Sequence, residues 1–115
     1  MSTALDLTGS EQEIDAILAW AKLRPEVEES SEPMSLDASR ALNVGLPNVD
    51  PRDVLIVITL VFRAGKSALD FLKALREELK ARRAAVAVSE SASGKPLGRL
   101  EGGTPDETIK KMVPT

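Results

Sequence analysis

The sequence predicts an α+β fold: a small antiparallel or mixed β-sheet packed on one long central helix and an N-terminal helix, in the order β-α-(β)-α-β-β-α. Three observations lead there. Residues 50–83 open with a helix-start signal and contain no proline after Pro51. Residues 4–8 and 84–91 alternate apolar and polar side chains, as half-buried strands do. Two further stretches, starting at Ser10 and Thr104, carry capping residues followed by apolar positions at helical spacing.

Taken in order, residues 4–8 place Leu5 and Leu7 on one side of a strand. Gly9 and Ser10 turn the chain, and Ser10 with Glu13 forms a capping-box pattern. Ile14, Ile17, Leu18 and Ala21 make one helical face; Trp20 lies to its side, at a boundary or exposed. Pro25 disfavours helix at Arg24, so this helix is expected to end near Leu23. Residues 26–29 read equally as strand or acidic loop. Residues 30–37 are rich in Ser, Glu and Pro and read as loop, 35–42 as a helical turn or extended chain, and Gly45, Pro47 and Asn48 as a turn. The whole of 26–49 is expected to be an acidic flexible loop.

The long helix is expected next. Asp50 caps, Pro51 takes the first helical position, and Asp53 places a carboxylate by the free amides. Val54, Val57, Ile58, Val61, Ala68, Leu72, Leu75 and Leu79 recur at helical spacing, and Lys80, Arg82 and Arg83 crowd the far end. Residues 54–62 are also dense in Val, Ile and Thr, so a strand followed by a helix from Gly65 is the competing reading. Continuity of the apolar stripe and the absence of a turn dipeptide favour helix throughout. The hairpin follows: Val86 and Val88 on one strand, a turn at residues 92–95, and Leu97 and Leu100 on the return. Thr104, Pro105 and Glu107 start a short last helix with Ile109, Met112 and Val113 on one side, ended by Pro114.

Composition narrows the chemistry. The 115 residues suit a single domain, and 43% hydrophobic with 29% charged side chains places the chain among globular proteins. It has no Cys and no His, which removes disulfides, thiolate and imidazole metal sites, a Cys nucleophile and a His base. Residues 1–9 lack the basic region and apolar run of a secretory signal, and the longest apolar run, 54–62, is far short of a membrane span. The expected location is the cytoplasm, with no membrane association. Residues 1–50 carry three basic and ten acidic side chains, and residues 51–83 eight basic and four acidic. That asymmetry suits two surfaces that face each other or one that steers a partner.

Remaining acid–base candidates are carboxylates: Glu11, Glu13 and Asp15 at a helix start, and Glu77–Glu78 within a helix. Dipole partnership and solvated ion pairs explain them better than catalysis. Ser89, Ser91 and Ser93 cluster near a turn with Lys95, where turn chemistry explains them. Gly65-Lys66-Ser67 resembles the end of a phosphate-binding loop, but the earlier Gly is missing, since position 60 is Leu. In a continuous helix its amides would also be engaged. The basic run at 80–83 has no interleaved aromatics for stacking on nucleic acid. No cofactor and no nucleic-acid partner are expected.

One ordering of features points to a family. Leu18-Ala19-Trp20-Ala21-Lys22 is followed by Arg24-Pro25-Glu26; then come Asp53-Val54-Leu55-Ile56-Val57, the small-residue break at Ala64-Gly65, Leu72-Lys73-Ala74-Leu75, the basic end at 80–83, a Val-rich strand and a Ser-Gly hairpin. Over most of residues 3–101 this resembles the effector-associated constant component domains, small α+β domains of bacterial conflict systems. The resemblance implies a non-enzymatic adaptor linking an effector, such as a caspase-like or trypsin-like peptidase, to an NTP-dependent signalling protein. The family offers no catalytic residue to carry over. One helix cannot bury all of Val54, Ile56, Ile58 and Phe62 against one sheet, so these residues, with Trp20, are the expected partner-binding positions, toward a protein partner or a second copy. The alternative is a small enzyme or ligand-binding regulatory protein built on carboxylates, Lys and Ser.

Overall fold

The computed structural model describes residues 3–35 and 55–113. Strand β1 (Thr3–Ser10) leads directly into helix α1 (Glu11–Ala21), followed by β2 (Val27–Ser30) and the two-residue β3 (Met34–Ser35). Strand β4 (Leu55–Phe62), helix α2 (Gly65–Arg82), the hairpin β5 (Ala85–Glu90) and β6 (Pro96–Glu101), and helix α3 (Asp106–Lys111) complete the order. All strand pairs are antiparallel, in the order β2-β4-β1-β5-β6, with β3 pairing β4. The α+β class and the approximate element order agree with the sequence reading.

The pairing places β1 between β4 and β5, so α2 connects two parallel strands across a third. Likewise β4 lies between β1 and β2, which α1 connects. These are two interlocked split β-α-β units, the arrangement of ferredoxin-like folds, here extended by β3, β6 and α3. All three helices send their buried side chains to one face of the sheet. Ile14, Ile17, Leu18 and Ala21 of α1 and Phe71, Leu72, Leu75 and Leu79 of α2 join Leu5, Leu7, Ile58, Leu60, Phe62, Val86 and Leu100 in one core. Ile109 and Met112 close it at the α3 end.

The expected continuous helix over 50–83 is corrected: its first part is β4, and the helix starts at Gly65. Six of the eight residues of β4 are β-branched or aromatic, and the strand lies inside the sheet with neighbours on both sides. Such a strand is apolar on both faces, which is why its residues also fitted a helical stripe. The break between strand and helix is only Arg63 and Ala64, neither of which is a turn-forming residue type, so no local signal announces it. The cap at Asp50 and Pro51, the turn at residues 45–48, the 35–42 reading beyond Ser35, and Pro114 lie outside the described residues.

Other boundaries follow local chemistry. The Ser10 hydroxyl accepts from the Glu13 amide at 3.4 Å and starts α1. That helix ends at Ala21, two residues before the expected stop. Of residues 26–29, which read equally as strand or loop, Val27–Glu29 belong to β2; Ser30 and the pair Met34–Ser35, expected as loop, are also in strands. The Thr104 hydroxyl does not cap α3 but accepts from the Glu101 amide at 2.9 Å, and the helix starts at Asp106.

Candidate interaction surface

Alternation along the strands sends every second residue away from the helices. On β1 these are Ala4, Asp6 and Thr8; on β4, their partners Val61, Thr59 and Val57. Ala87 and Ser89 of β5 continue the two central rows, and Met34 of β3 pairs Val57 at the margin. Among the described residues, no helix lies on this face. Leu55, Thr8 and Ala87 are buried, while Ala4, Asp6, Val57, Thr59 and Val61 keep partial exposure.

One charge sits in the middle of this surface. The Thr59 hydroxyl donates to Asp6 Oδ1 at 2.6 Å, across the β1–β4 pair. Ser31 anchors the next strand, its hydroxyl accepting from the Thr59 amide and its own amide donating to the Thr59 carbonyl, both at 2.9 Å. At the far edge Arg99 and Glu101 pair with each other at 2.5 Å and cancel. Glu29, opposite Val61, adds a second negative charge at the β2 edge.

The expected partner-binding set lands elsewhere. Ile56, Ile58 and Phe62 point toward the helices and are 7%, 1% and 0% exposed, so a partner reaches none of them in the folded chain. Val54 lies outside the described residues. Trp20 is half-buried, its ring 5.4 Å from that of Phe71, with the Arg24 guanidinium 5.3 Å from its centroid. The surface of β4 is the alternate register, Val57, Thr59 and Val61. Thr59 was the signal available for it, the one hydroxyl in an otherwise apolar run.

Among the described residues, no group of three or more Asp or Glu side chains is placed to hold a metal ion. Two carboxyls are held below their ordinary range: Glu26 by hydrogen bonds from the Arg24 side chain, and Asp106 by the hydrogen bond and charge of Arg76. The first pair lies within the link between α1 and β2, and the second ties α2 to the start of α3. Ser93 serves its turn, the hydroxyl accepting from the Lys95 amide at 3.2 Å. The basic end of α2 is partly neutralised, since Arg82 pairs with Glu78 at 2.7 Å. The Gly65-Lys66-Ser67 amides are not inside a helix as expected: they form the first turn of α2, ahead of its first bond from Ala68 N to Ala64 O at 3.1 Å. A strand does precede them, but the two-residue link offers no glycine-rich cradle.

An open sheet face binds single-stranded nucleic acid through aromatic rings on which bases stack. The rings here, Trp20, Phe62 and Phe71, all lie on the helix side. No helix among the described residues is long and apolar enough to cross a membrane. Comparison with protein-family models, with curated proteins and with solved structures found no match.

Proposed function

We propose that this chain is a non-enzymatic interaction domain of the cytoplasm. In this reading it is an adaptor that connects an effector, such as a caspase-like or trypsin-like peptidase, to a signalling NTPase in a bacterial conflict system. The family resemblance of the sequence motifs supplies the biological setting. The observation that carries the reading is the sheet face that no described helix covers, where the partly exposed Ala4, Val57 and Val61 surround Asp6. Partly exposed β-branched side chains on a flat, hydrogen-bonded scaffold provide area for a protein partner without needing a pocket. The docking surface is therefore placed on Val57 and Val61 rather than on Ile56, Ile58 and Phe62, with the Trp20–Arg24 corner as a separate surface feature.

The test is co-expression with the products of the flanking genes, read by size-exclusion chromatography with light scattering. A stoichiometric complex with a peptidase or NTPase is expected. A Val57→Lys/Val61→Lys double variant should keep its circular dichroism spectrum and lose the complex. A complex indifferent to that variant, or none with any flanking product, overturns the reading. Self-association of the isolated chain, abolished by the same variant, would identify the partner as a second copy.

A further inference from the structure

We infer that Thr104 is an edge stop: its hydroxyl and amide occupy the outward backbone groups of Glu101 and keep β6 from pairing with a strand of another chain. The inference is independent of the docking reading above and concerns a different part of the sheet.

The direction of each backbone group on β6 follows from the ladder. Residues of an antiparallel strand alternate, one sending its N–H and C=O to the neighbouring strand and the next sending both away. The Glu90 amide donates to the Lys95 carbonyl at 2.8 Å, so Glu90, and with it Val88 and Val86, bonds toward β6. Their partners Gly98 and Leu100 answer toward β5, and Arg99 and Glu101 therefore turn their backbone groups away from it. Strand β6 is the last in the order of the described strands, so these groups lie where a further strand would add.

At Glu101 both outward groups are taken. Its amide donates to the Thr104 hydroxyl at 2.9 Å, and its carbonyl accepts from the Thr104 amide at 3.1 Å. Those are the two bonds that an incoming strand would make with Glu101. The turn that brings Thr104 back is held by α2: Arg76 donates to the Thr104 carbonyl at 3.1 Å, and Gly102 lies against the Lys80 backbone with no room for a β-carbon. Two contacts to one helix keep the stop in place. The start of β6 is interrupted as well, since Pro96 has no amide to donate and the register shifts between Val88 and Ser89. Between these ends the regular ladder leaves Arg99 facing outward, and the bonds of one residue do not hold a separate strand.

Two measurements test this. In the parent chain, amide hydrogen exchange should find Glu101 at least tenfold slower than Arg99, since one amide is bonded and the other faces outward. Equal protection of the two overturns the inference, because something other than Thr104 then closes this margin. The second measurement compares Thr104→Val, which keeps the shape and loses the hydroxyl, with Thr104→Ser, which keeps the hydroxyl. From micromolar to millimolar concentration, sedimentation of Thr104→Val should show growing association, with the Arg99 and Glu101 amides slowing at least tenfold. Those amides should not slow in Thr104→Ser or in the parent chain. A folded Thr104→Val that does not associate over that range, association that leaves both amides unprotected, or equal association of Thr104→Ser overturns the inference. If Thr104→Val does not fold, exchange in the parent chain decides by itself.

Discussion

Gly102 lies so close to Lys80 that a β-carbon added to it would stand 2.7 Å from the Lys80 α-carbon and 2.6 Å from its β-carbon. The end of β6 is thus pressed directly on the backbone of α2. Gly102→Ala must push strand and helix apart, because a backbone atom cannot rotate away. We expect a loss of about 1–3 kcal/mol by urea denaturation. Gly103, whose added β-carbon meets nothing within 4 Å, is the control: Gly103→Ala should change stability by less than about 0.5 kcal/mol.

Helix α2 ends on a residue that is not suited to its conformation. Arg83 adopts φ 54°, ψ 42°, and the Ala84 amide donates to the Leu79 carbonyl at 3.0 Å, closing a left-handed cap. A side chain is strained there, whereas glycine is not. Arg83→Gly should stabilise the protein by about 0.5–1 kcal/mol, offset in part by unfolded-state entropy. A thermal melt checks the sign.

Arg76 joins α2 to α3 by donating to the Thr104 carbonyl at 3.1 Å and to the Asp106 carboxylate. Because Asp106 is held below its ordinary range by Arg76, the folded state favours the ionised acid. Its contribution is complete above the ordinary aspartate value and is lost as pH falls through the lower folded value, so the window lies below about pH 4. Asp106→Asn should remove that contribution at neutral pH, flatten the acid limb of a stability–pH curve, and converge with the parent protein at the acid end. An unaltered acid limb would contradict the assignment.

Adjacent residues of β4 should differ sharply in what they cost to remove. Leu60 is fully buried beneath the helices, and Val61 faces outward. Leu60→Ala should cost about 2–5 kcal/mol and Val61→Ala less than about 1 kcal/mol. The measurement is again urea denaturation, and similar losses at the two sites would count against the strand register.

Trp20 is the single tryptophan, so its fluorescence reports one corner of the fold. Arg24 lies over its ring while bonding Glu26 at 2.7 and 3.2 Å. Arg24→Ala opens the indole to water and releases Glu26. A red-shifted emission is expected, with a stability change of no more than about 1 kcal/mol, as for partly exposed cation–π contacts.

Strands β1, β5 and β6, helix α1, and the second half of the long helical stretch were legible because each has a clear period and a local start or stop. Ser10 caps α1, and Gly94 sits at φ +73° in the hairpin turn, a conformation glycine adopts freely. Strand β4 was not legible in the same way. A run apolar on both faces has no period to read, and its Val and Ile residues satisfy a helix stripe and a strand equally well. That ambiguity also put the expected partner-binding set on Ile56, Ile58 and Phe62, which the strand turns into the core.

The sequence by itself determined the α+β class, the helix-facing side of most elements, and the exclusion of thiol and imidazole chemistry, because these depend on residue identity and on spacing along the chain. Tertiary structure decided which way β4 turns, that Asp6 meets Thr59, and that all three described helices pack on one side of the sheet. Those outcomes depend on hydrogen bonds between segments more than fifty residues apart, and chain-local preferences do not specify which strand will lie beside which.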